Sequence, residues 1–84
     1  MLDLNKKTDV LQLLMSAGYN RVMAERFLQP TRIDCTCTIW KECDFDFMTT
    51  ITGHTVEDIK AGYVPGFEFV QYEPGEVYIL EVSY

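Results

Sequence analysis

Two segments near the start of the chain carry apolar residues at helical spacing. Within residues 8–17 and again within residues 21–29, apolar side chains recur three and four positions apart. Thr8 and Asn20 stand where N-caps are expected, and Gly18 can end the first helix in a left-handed conformation. A proline follows the second segment and prevents its continuation. The pattern predicts a pair of helices over about residues 8–29.

The periodicity changes from helical spacing to alternation after this pair. The alternating apolar positions are Ile33, Cys35, Cys37 and Ile39, followed by Cys43, Phe45 and Phe47. Alternation of this kind is typical of strands with one buried face. With a turn near Lys41 and Glu42, the sequence predicts a first hairpin over about residues 33–50, aromatic on the inner side of its second strand and acidic on the outer side.

A short helix and a second hairpin complete the predicted elements. Thr55 with Asp58 three positions later resembles a capping box and predicts a helix over about residues 55–61. Residues 67–83 form two apolar segments around Pro74 and Gly75, and this dipeptide is typical of the centre of a type II turn. The second hairpin is therefore predicted over about residues 67–83.

These elements predict one small α+β domain that spans residues 1–84. Their order is α-α-β-β-α-β-β. Strands joined by short turns favour an antiparallel sheet, and we expect the helices to pack on one face of it.

The second hairpin has two apolar faces in the register that a turn centred on Pro74 and Gly75 implies. That register places Val70 opposite Ile79 and Tyr72 opposite Val77 on one face, while the other face is the natural core face. Strands that are apolar on both sides are either buried on both sides or expose a patch to a partner. If the patch is exposed, these four residues could form a homodimer contact.

Charge divides the chain into two unlike parts. The 84 residues are 48% hydrophobic and carry a net charge of −6. Residues 1–32 hold five basic and three acidic side chains, a net of +2, whereas residues 33–84 hold two lysines against ten carboxylates, a net of −8. The acidic part should repel nucleic acid and anionic membranes and attract basic protein grooves.

Composition also bears on the compartment. The N-terminal lysines precede no apolar run of the kind that a signal peptide has, and no apolar stretch approaches the roughly 18 residues of a membrane span. Three cysteines are an odd number for a secreted disulfide framework. We therefore expect a cytoplasmic protein with reduced thiols and no membrane partner.

Carboxylates are the most suggestive candidate binding groups. In the predicted first hairpin, alternation places Glu42, Asp44 and Asp46 on one strand face, and Trp40 shares the outer side of the sheet. Further carboxylates lie in the second hairpin: Glu68, Glu73, Glu76 and Glu81. Such a surface could imitate a phosphate backbone, since Lys and Arg bind either anion. It could equally be a solvated face that keeps the domain soluble.

These residues favour a protein-binding module without catalytic activity or cofactor. The hypothesis is an inhibitor that occludes the basic, nucleic-acid-binding groove of a larger protein complex, with Trp40 as an aromatic anchor. By analogy with small acidic inhibitors, a phage or mobile-element origin fits this hypothesis. A structural or assembly subunit that uses the apolar hairpin face is an alternative.

The helical pair suggests another alternative. Residues 16–24, Ser-Ala-Gly-Tyr-Asn-Arg-Val-Met-Ala, resemble the turn of a helix-turn-helix DNA reader. The resemblance implies a DNA-binding regulator in which Arg21 and Arg26 lie on the recognition helix. The simpler interpretation is a helical corner that packs on the sheet, and the acidic remainder of the chain opposes DNA binding.

Thiols and an imidazole form the last candidate set. Cys35, Cys37, Cys43 and His54 are residue types that bind zinc. A single residue between Cys35 and Cys37 does not give the usual knuckle spacing, and core cysteines are the simpler interpretation. A cysteine–histidine catalytic pair can be drawn from Cys43 and His54, but their spacing does not favour it. Whether these residues bind metal stays open at this point.

Overall fold

The computed structural model describes residues 2–28 and 36–83. The elements are α1 (Lys7–Ser16), α2 (Arg21–Phe27), β1 (Thr36–Lys41), a single 3-10 turn (Glu42–Asp44), α3 (Phe45–Thr52), α4 (Val56–Lys60), β2 (Phe67–Glu73) and β3 (Glu76–Ser83). None of the helices in these two ranges has the length and apolar composition of a membrane-crossing segment.

The three strands form one antiparallel sheet in the order β1-β3-β2. The last strand of the chain therefore lies in the centre, between its hairpin partner β2 and the distant strand β1. The predicted α+β class and the antiparallel sheet are confirmed, and Pro74 and Gly75 connect β2 to β3 as predicted. Gly75 has a φ of 80°, which the second central position of a type II turn requires.

Helices cover both faces of this sheet, so the prediction that they pack on one face is wrong. Two separate clusters of buried side chains result. The first core, between the sheet and α1 and α2, contains Val10, Leu11, Leu13, Leu14, Ala24, Phe27, Val70, Tyr78 and Leu80. The second core, on the α3 and α4 side, contains Phe45, Met48, Ile59, Val64 and Ile79. Neighbouring residues of β3 thus belong to different cores.

The predicted first hairpin is wrong in its second half, because residues 45–52 form helix α3. Phe45 and Met48, three positions apart, are buried together, whereas Phe47 is 60% exposed and does not share the face of Phe45. The hydroxyl of Thr52 donates to the Met48 carbonyl, 2.8 Å away, and Gly53 ends the helix with a φ of 76°. The helical spacing of Phe45 and Met48 buries both side chains together, which favours a helix over a strand in this segment. The beginning of that hairpin, residues 33–35, lies outside the described residues.

The helical pair follows the prediction at its corner but not at its start. Helix α1 begins at Lys7, so Thr8 lies within the helix and is not its N-cap. Gly18 has a φ of 108°, and the Tyr19 amide donates back to the Leu14 carbonyl, which closes the helix as predicted. The Asn20 side chain accepts a hydrogen bond from the Met23 amide and caps α2. Gln29 and Pro30 lie outside the described residues.

Helix α4 has the cap that the sequence predicts. The Thr55 hydroxyl accepts a hydrogen bond from the Asp58 amide, 3.2 Å away. At the other end, the Tyr63 amide donates to the Asp58 carbonyl across Gly62, which has a positive φ.

A β-bulge in β2 changes the register of the second hairpin. Glu73 pairs with Glu76, but the next pair is Gln71 with Val77, so Tyr72 is an extra residue on β2. Beyond the bulge, Val70 lies opposite Tyr78 instead of opposite Ile79 as predicted.

The bulge removes the predicted homodimer patch. Val70 is buried in the first core and Ile79 in the second, on opposite faces of the sheet. Tyr72 is half-buried against the first core and Val77 against the second. Because the extra residue divides the four side chains between two covered faces, the alternative of burial on both faces is the one observed.

Two isoleucines allow a matched test of the second core. Ile79 is fully buried, whereas Ile51 on α3 is 58% exposed. We expect Ile79→Val to lower the free energy of unfolding by about 0.5–1.5 kcal/mol, because a buried methyl group is lost, and Ile51→Val to change it far less. Urea denaturation of both variants measures this difference. Equal losses would contradict the assignment of Ile79 to a packed core.

Candidate protein-binding surface

Helix α3 carries two large apolar side chains that the fold does not cover. Phe47 is 60% exposed and Ile51 is 58% exposed, and they lie one helical turn apart on the same side of the helix. Phe45 and Met48, on another side, are buried in the second core. We call Phe47 and Ile51 the α3 stripe.

Trp40 extends this stripe onto the sheet. Its ring lies edge-to-face with that of Phe47, with ring centroids 6.4 Å apart. The indole Nε1 donates a hydrogen bond to Oε1 of Glu81 on β3, at 3.1 Å. The expectation of an exposed tryptophan on an acidic strand face is wrong, because Trp40 shares its sheet face with Ile79 and is half-buried against the second core.

The three carboxylates predicted on a strand face lie instead at the start of α3. Glu42 and Asp44 belong to the 3-10 turn, and Asp46 lies in the first turn of the helix. All three are exposed. Carboxylates are favoured at this place, since the unpaired amides at a helix N-terminus carry a partial positive charge. The carboxylates therefore adjoin the α3 stripe along the helix and do not form a regular strand ladder.

The side of the molecule that carries the stripe is strongly acidic. Glu57 and Asp58 lie exposed in the first turn of α4 and add to the carboxylates at the start of α3. Lys60 is a base of this layer, and its Nζ lies over the Phe69 ring, 5.3 Å from its centroid. On the opposite layer, residues 2–28 contain four basic and three acidic side chains. The sheet therefore separates an acidic layer from a nearly neutral one.

The carboxylates of the second hairpin do not join this surface as a group. Glu68 projects to the first-core side of the sheet, where Tyr19 hydrogen-bonds to it. Glu81 is held by Trp40. Glu73 and Glu76 face each other beside the hairpin turn. The predicted carboxylates therefore lie in four separate places: at the start of α3, on the first-core face of the sheet, beside Trp40, and at the hairpin turn.

Glu76 has a structural role at that end. Its Oε1 accepts hydrogen bonds from the Leu2 amide and from the Tyr78 hydroxyl, each at 3.0 Å. Burial and the neighbouring Glu76 carboxylate raise the pKa of Tyr78. Leu2, Glu42, Glu76 and Tyr78 also line an open depression of about 380 Å³ at the end of β1. Glu76 fixes the N-terminal segment to the hairpin.

The thiol and imidazole set does not converge on one point. Cys37 packs on the first-core side of the sheet, whereas His54 lies edge-to-face with Phe67, which packs on the second-core side. Cys43 is exposed in the 3-10 turn, and Cys35 lies outside the described residues. Among residues 2–28 and 36–83, no three His, Cys, Asp or Glu side chains are grouped so as to hold a metal ion.

The two arginines of the helix-turn-helix resemblance have partners within α2. Nε of Arg21 lies 3.1 Å from Oε1 of Glu25, in an exposed ion pair one turn apart. Arg26 points its guanidinium at the sulfur of Met23, 4.0 Å away. Both arginines therefore lie on one short helix whose own side chains contact them.

The α3 stripe is the feature that the sequence pattern concealed. Alternation predicts Phe47 on a buried strand face and gives Ile51 no role. The signal that could have revealed the stripe is the spacing of the apolar residues from Phe45 onward. Phe45 and Met48 are three positions apart, and Phe47 and Ile51 are four apart, which is typical of two sides of one helix.

Comparison of the chain with protein-family models, curated protein sequences and solved structures finds no significant match.

The environment of Glu68 predicts a pH-dependent effect on stability. Burial raises the pKa of Glu68 above its ordinary value, and the Tyr19 hydrogen bond opposes this shift only in part. A raised pKa means that folding favours the protonated form. Ionisation therefore costs stability as the pH rises through the folded-state pKa.

We expect Glu68→Gln to raise the free energy of unfolding at neutral pH, because the amide keeps an acceptor for Tyr19 without a charge. The gain should shrink and vanish as the pH falls below the ordinary glutamate pKa. Urea denaturation across a pH series measures this difference, with exposed Glu57→Gln as the control. A gain that is the same at every pH would contradict a burial effect on the charge.

Proposed function

We propose that the chain is an acidic protein-binding module whose binding surface is the α3 stripe with Trp40 beside it. The partner presents a basic groove with an apolar floor. The module occludes that groove, as an inhibitor of a nucleic-acid-handling complex would. The observation that supports this proposal is the exposure of Phe47 and Ile51 next to the carboxylates that begin α3.

The apolar part of the surface supplies affinity in this proposal. Binding energy at protein interfaces concentrates in a few aromatic and large apolar side chains that become fully desolvated. Phe47 and Ile51 have this character and are more than half exposed in the free chain. Helix α3 packs on the second core through Phe45 and Met48, which lie on another side of the helix, so this packing does not use Phe47 or Ile51.

The acidic rim defines the chemistry of the partner. Glu42, Asp44 and Asp46 are exposed around the N-terminus of α3 and would repel an anionic ligand. Lysine and arginine side chains complement carboxylates and phosphates in the same way. A groove that binds a nucleic-acid backbone therefore offers suitable donors, and its occupation by this surface excludes the nucleic acid.

Panning of a random peptide library against the immobilised chain tests the proposal even while the partner is unidentified. In parallel, the library is panned against a Phe47→Ser, Ile51→Ser double variant. We expect the chain to enrich peptides that combine apolar residues with Lys or Arg, and the variant to lose them. Enrichment of acidic peptides, or of the same peptides by both proteins, would contradict the proposed surface.

Matched double variants separate the stripe from general loss of apolar surface. Phe47→Ser, Ile51→Ser should weaken binding of an enriched peptide at least about tenfold, because two desolvated anchors are lost. The control is Met15→Ser, Val22→Ser, which removes apolar side chains exposed to 46% and 69% on the opposite layer. The control should bind as the parent chain does, and calorimetric titration measures both.

A charge variant tests the rim separately. Asp44→Asn, Asp46→Asn should reduce the association rate and flatten its dependence on salt, because rim charges act mainly on diffusional encounter. Stopped-flow measurements over a salt series give both quantities. An unchanged salt dependence would show that the rim carboxylates take no part in recognition.

A further inference from the structure

An open hollow lies on the acidic layer, between α4, the start of α3 and the strands β2 and β3. Its volume is about 330 Å³, and pockets that bind ligands have volumes of about 300–1,000 Å³. We call it the α4 hollow, and four apolar side chains line it: Phe45, Val56, Phe69 and Val77. Phe45 is buried and the other three are half-buried, so part of this apolar surface remains in contact with solvent.

Carboxylates stand at the rim of the α4 hollow. Glu42 and Glu57 line it, and both are exposed. Glu42 also belongs to the acidic residues at the start of α3, and Asp58 follows Glu57 in the first turn of α4. An apolar hollow with a negative rim favours an aliphatic group that ends in a positive charge, because the stem leaves water while the charge stays near the carboxylates.

A lysine of the chain itself already places its ammonium group in this hollow. Lys60, the last residue of α4, lines it, and Nζ lies over the ring of Phe69, 5.3 Å from the centroid. The face of an aromatic ring carries a negative potential and attracts an ammonium group. The contact of Lys60 therefore represents the kind of group that the α4 hollow accepts.

Another ammonium group can replace that of Lys60. Lys60 is exposed, and a cation–π contact at an exposed site is a weak interaction. A lysine side chain that leaves the ring also regains rotamer freedom. The hollow remains open while Lys60 lies over Phe69. A second lysine side chain can therefore enter without a rearrangement of α4 or of the sheet.

We infer that the α4 hollow is the binding site for a lysine side chain of the partner. The stem of that lysine lies on Val56 and Val77, and its ammonium group takes the place of the Lys60 ammonium over Phe69. Glu57 supplies the opposite charge at the rim, and Lys60 turns outward into solvent. This inference rests on the proposed function, since it assigns a pocket to one basic residue of the same partner.

The probe is the capped peptide Gly-Gly-Lys-Gly-Gly, titrated into the isotope-labelled chain and followed by NMR. The methyl resonances of Val56 and Val77 and the ring resonances of Phe69 report occupation of the hollow. One matched peptide carries norleucine, which keeps the apolar stem without the charge, and another carries arginine. About 0.15 M salt screens charges that are more than about 8 Å apart, so general attraction to the acidic layer contributes little.

Replacement of Lys60 gives the most specific expectation. Lys60→Ala removes the internal competitor and should tighten binding of the lysine peptide about two- to fivefold, which is the strength of one exposed cation–π contact. The control Lys7→Ala removes the same charge from the opposite layer and should bind as the parent chain does. Glu57→Gln should weaken binding about twofold, because an exposed charge pair is lost.

Comparison of the peptides tests which group the hollow recognises. The norleucine peptide should bind the parent chain at least about threefold more weakly than the lysine peptide. Equal binding of the two would mean that the hollow accepts apolar surface alone, and tighter binding of the arginine peptide would mean that a guanidinium is the occupant. Either result would overturn the inference.

Three further results would also overturn it. The first is a lysine peptide that leaves the resonances of the hollow unchanged. The second is a Lys60→Ala variant that binds no more tightly than the parent chain, because the two ammonium groups then do not share one place. The third is a change of the same resonances with the concentration of the chain alone, because the occupant then belongs to a second copy.

The stripe variant distinguishes this inference from the proposed function. Phe47→Ser, Ile51→Ser leaves the lining of the α4 hollow intact and should bind the lysine peptide as the parent chain does. Loss of binding in this variant would place the peptide on the α3 stripe and would overturn the inference. Failure of the proposed function appears separately, in the library panning.

Discussion

Strand β3 needs apolar cover on both of its sides, because it lies at the centre of the sheet and between two helical layers. Tyr78, Ile79 and Leu80 are consecutive and nearly inaccessible to solvent. Two successive residues of a strand point to opposite faces, so one helical layer could not bury all three. The pair α1 and α2 covers Tyr78 and Leu80, and the pair α3 and α4 covers Ile79. A domain of this size thus has two small cores that share one strand.

The bulge at Tyr72 reconciles the hairpin turn with this double burial. Without the extra residue, Val70 would lie opposite Ile79 and would share its face. With it, Val70 joins Tyr78 and Leu80 in the first core, and Phe69 joins Ile79 on the other side. One inserted residue thereby assigns alternate side chains of β2 to the correct layers. It also interrupts the pairing of β2 with β3, whereas β1 pairs with β3 in uninterrupted register.

The parts of the fold that local chemistry controls were predictable from the sequence. Asn20 and Thr55 cap their helices, Gly18 closes α1, and Pro74 with Gly75 forms the hairpin turn. These depend on the conformations and hydrogen bonds of a few adjacent residues. The class of fold follows from the same elements.

Long-range packing controlled the parts that were missed. Residues 43–47 alternate in polarity as a strand would, yet Phe45 and Met48 gain burial only if the segment is helical. The bulge has no local signal either, because both registers of β2 give apolar pairs. The carboxylates that follow Trp40 were therefore recognised from the sequence as a group of residues, but their arrangement at the start of a helix was not. Phe47 was missed because its exposure depends on a helix that the alternation concealed.

The order of the strands along the chain also gives the two pairings of β3 unequal entropic costs. Two residues connect β3 to β2, whereas Trp40 on β1 and Glu81 on β3 are 41 positions apart. The entropy lost on closing a loop grows with the logarithm of its length, so the contact between β1 and β3 is the less favourable one to establish from the unfolded chain. Strand β1 thus has the costlier attachment to the sheet, and contacts that hold it there, such as the hydrogen bond from the Trp40 indole to Glu81, offset part of that cost.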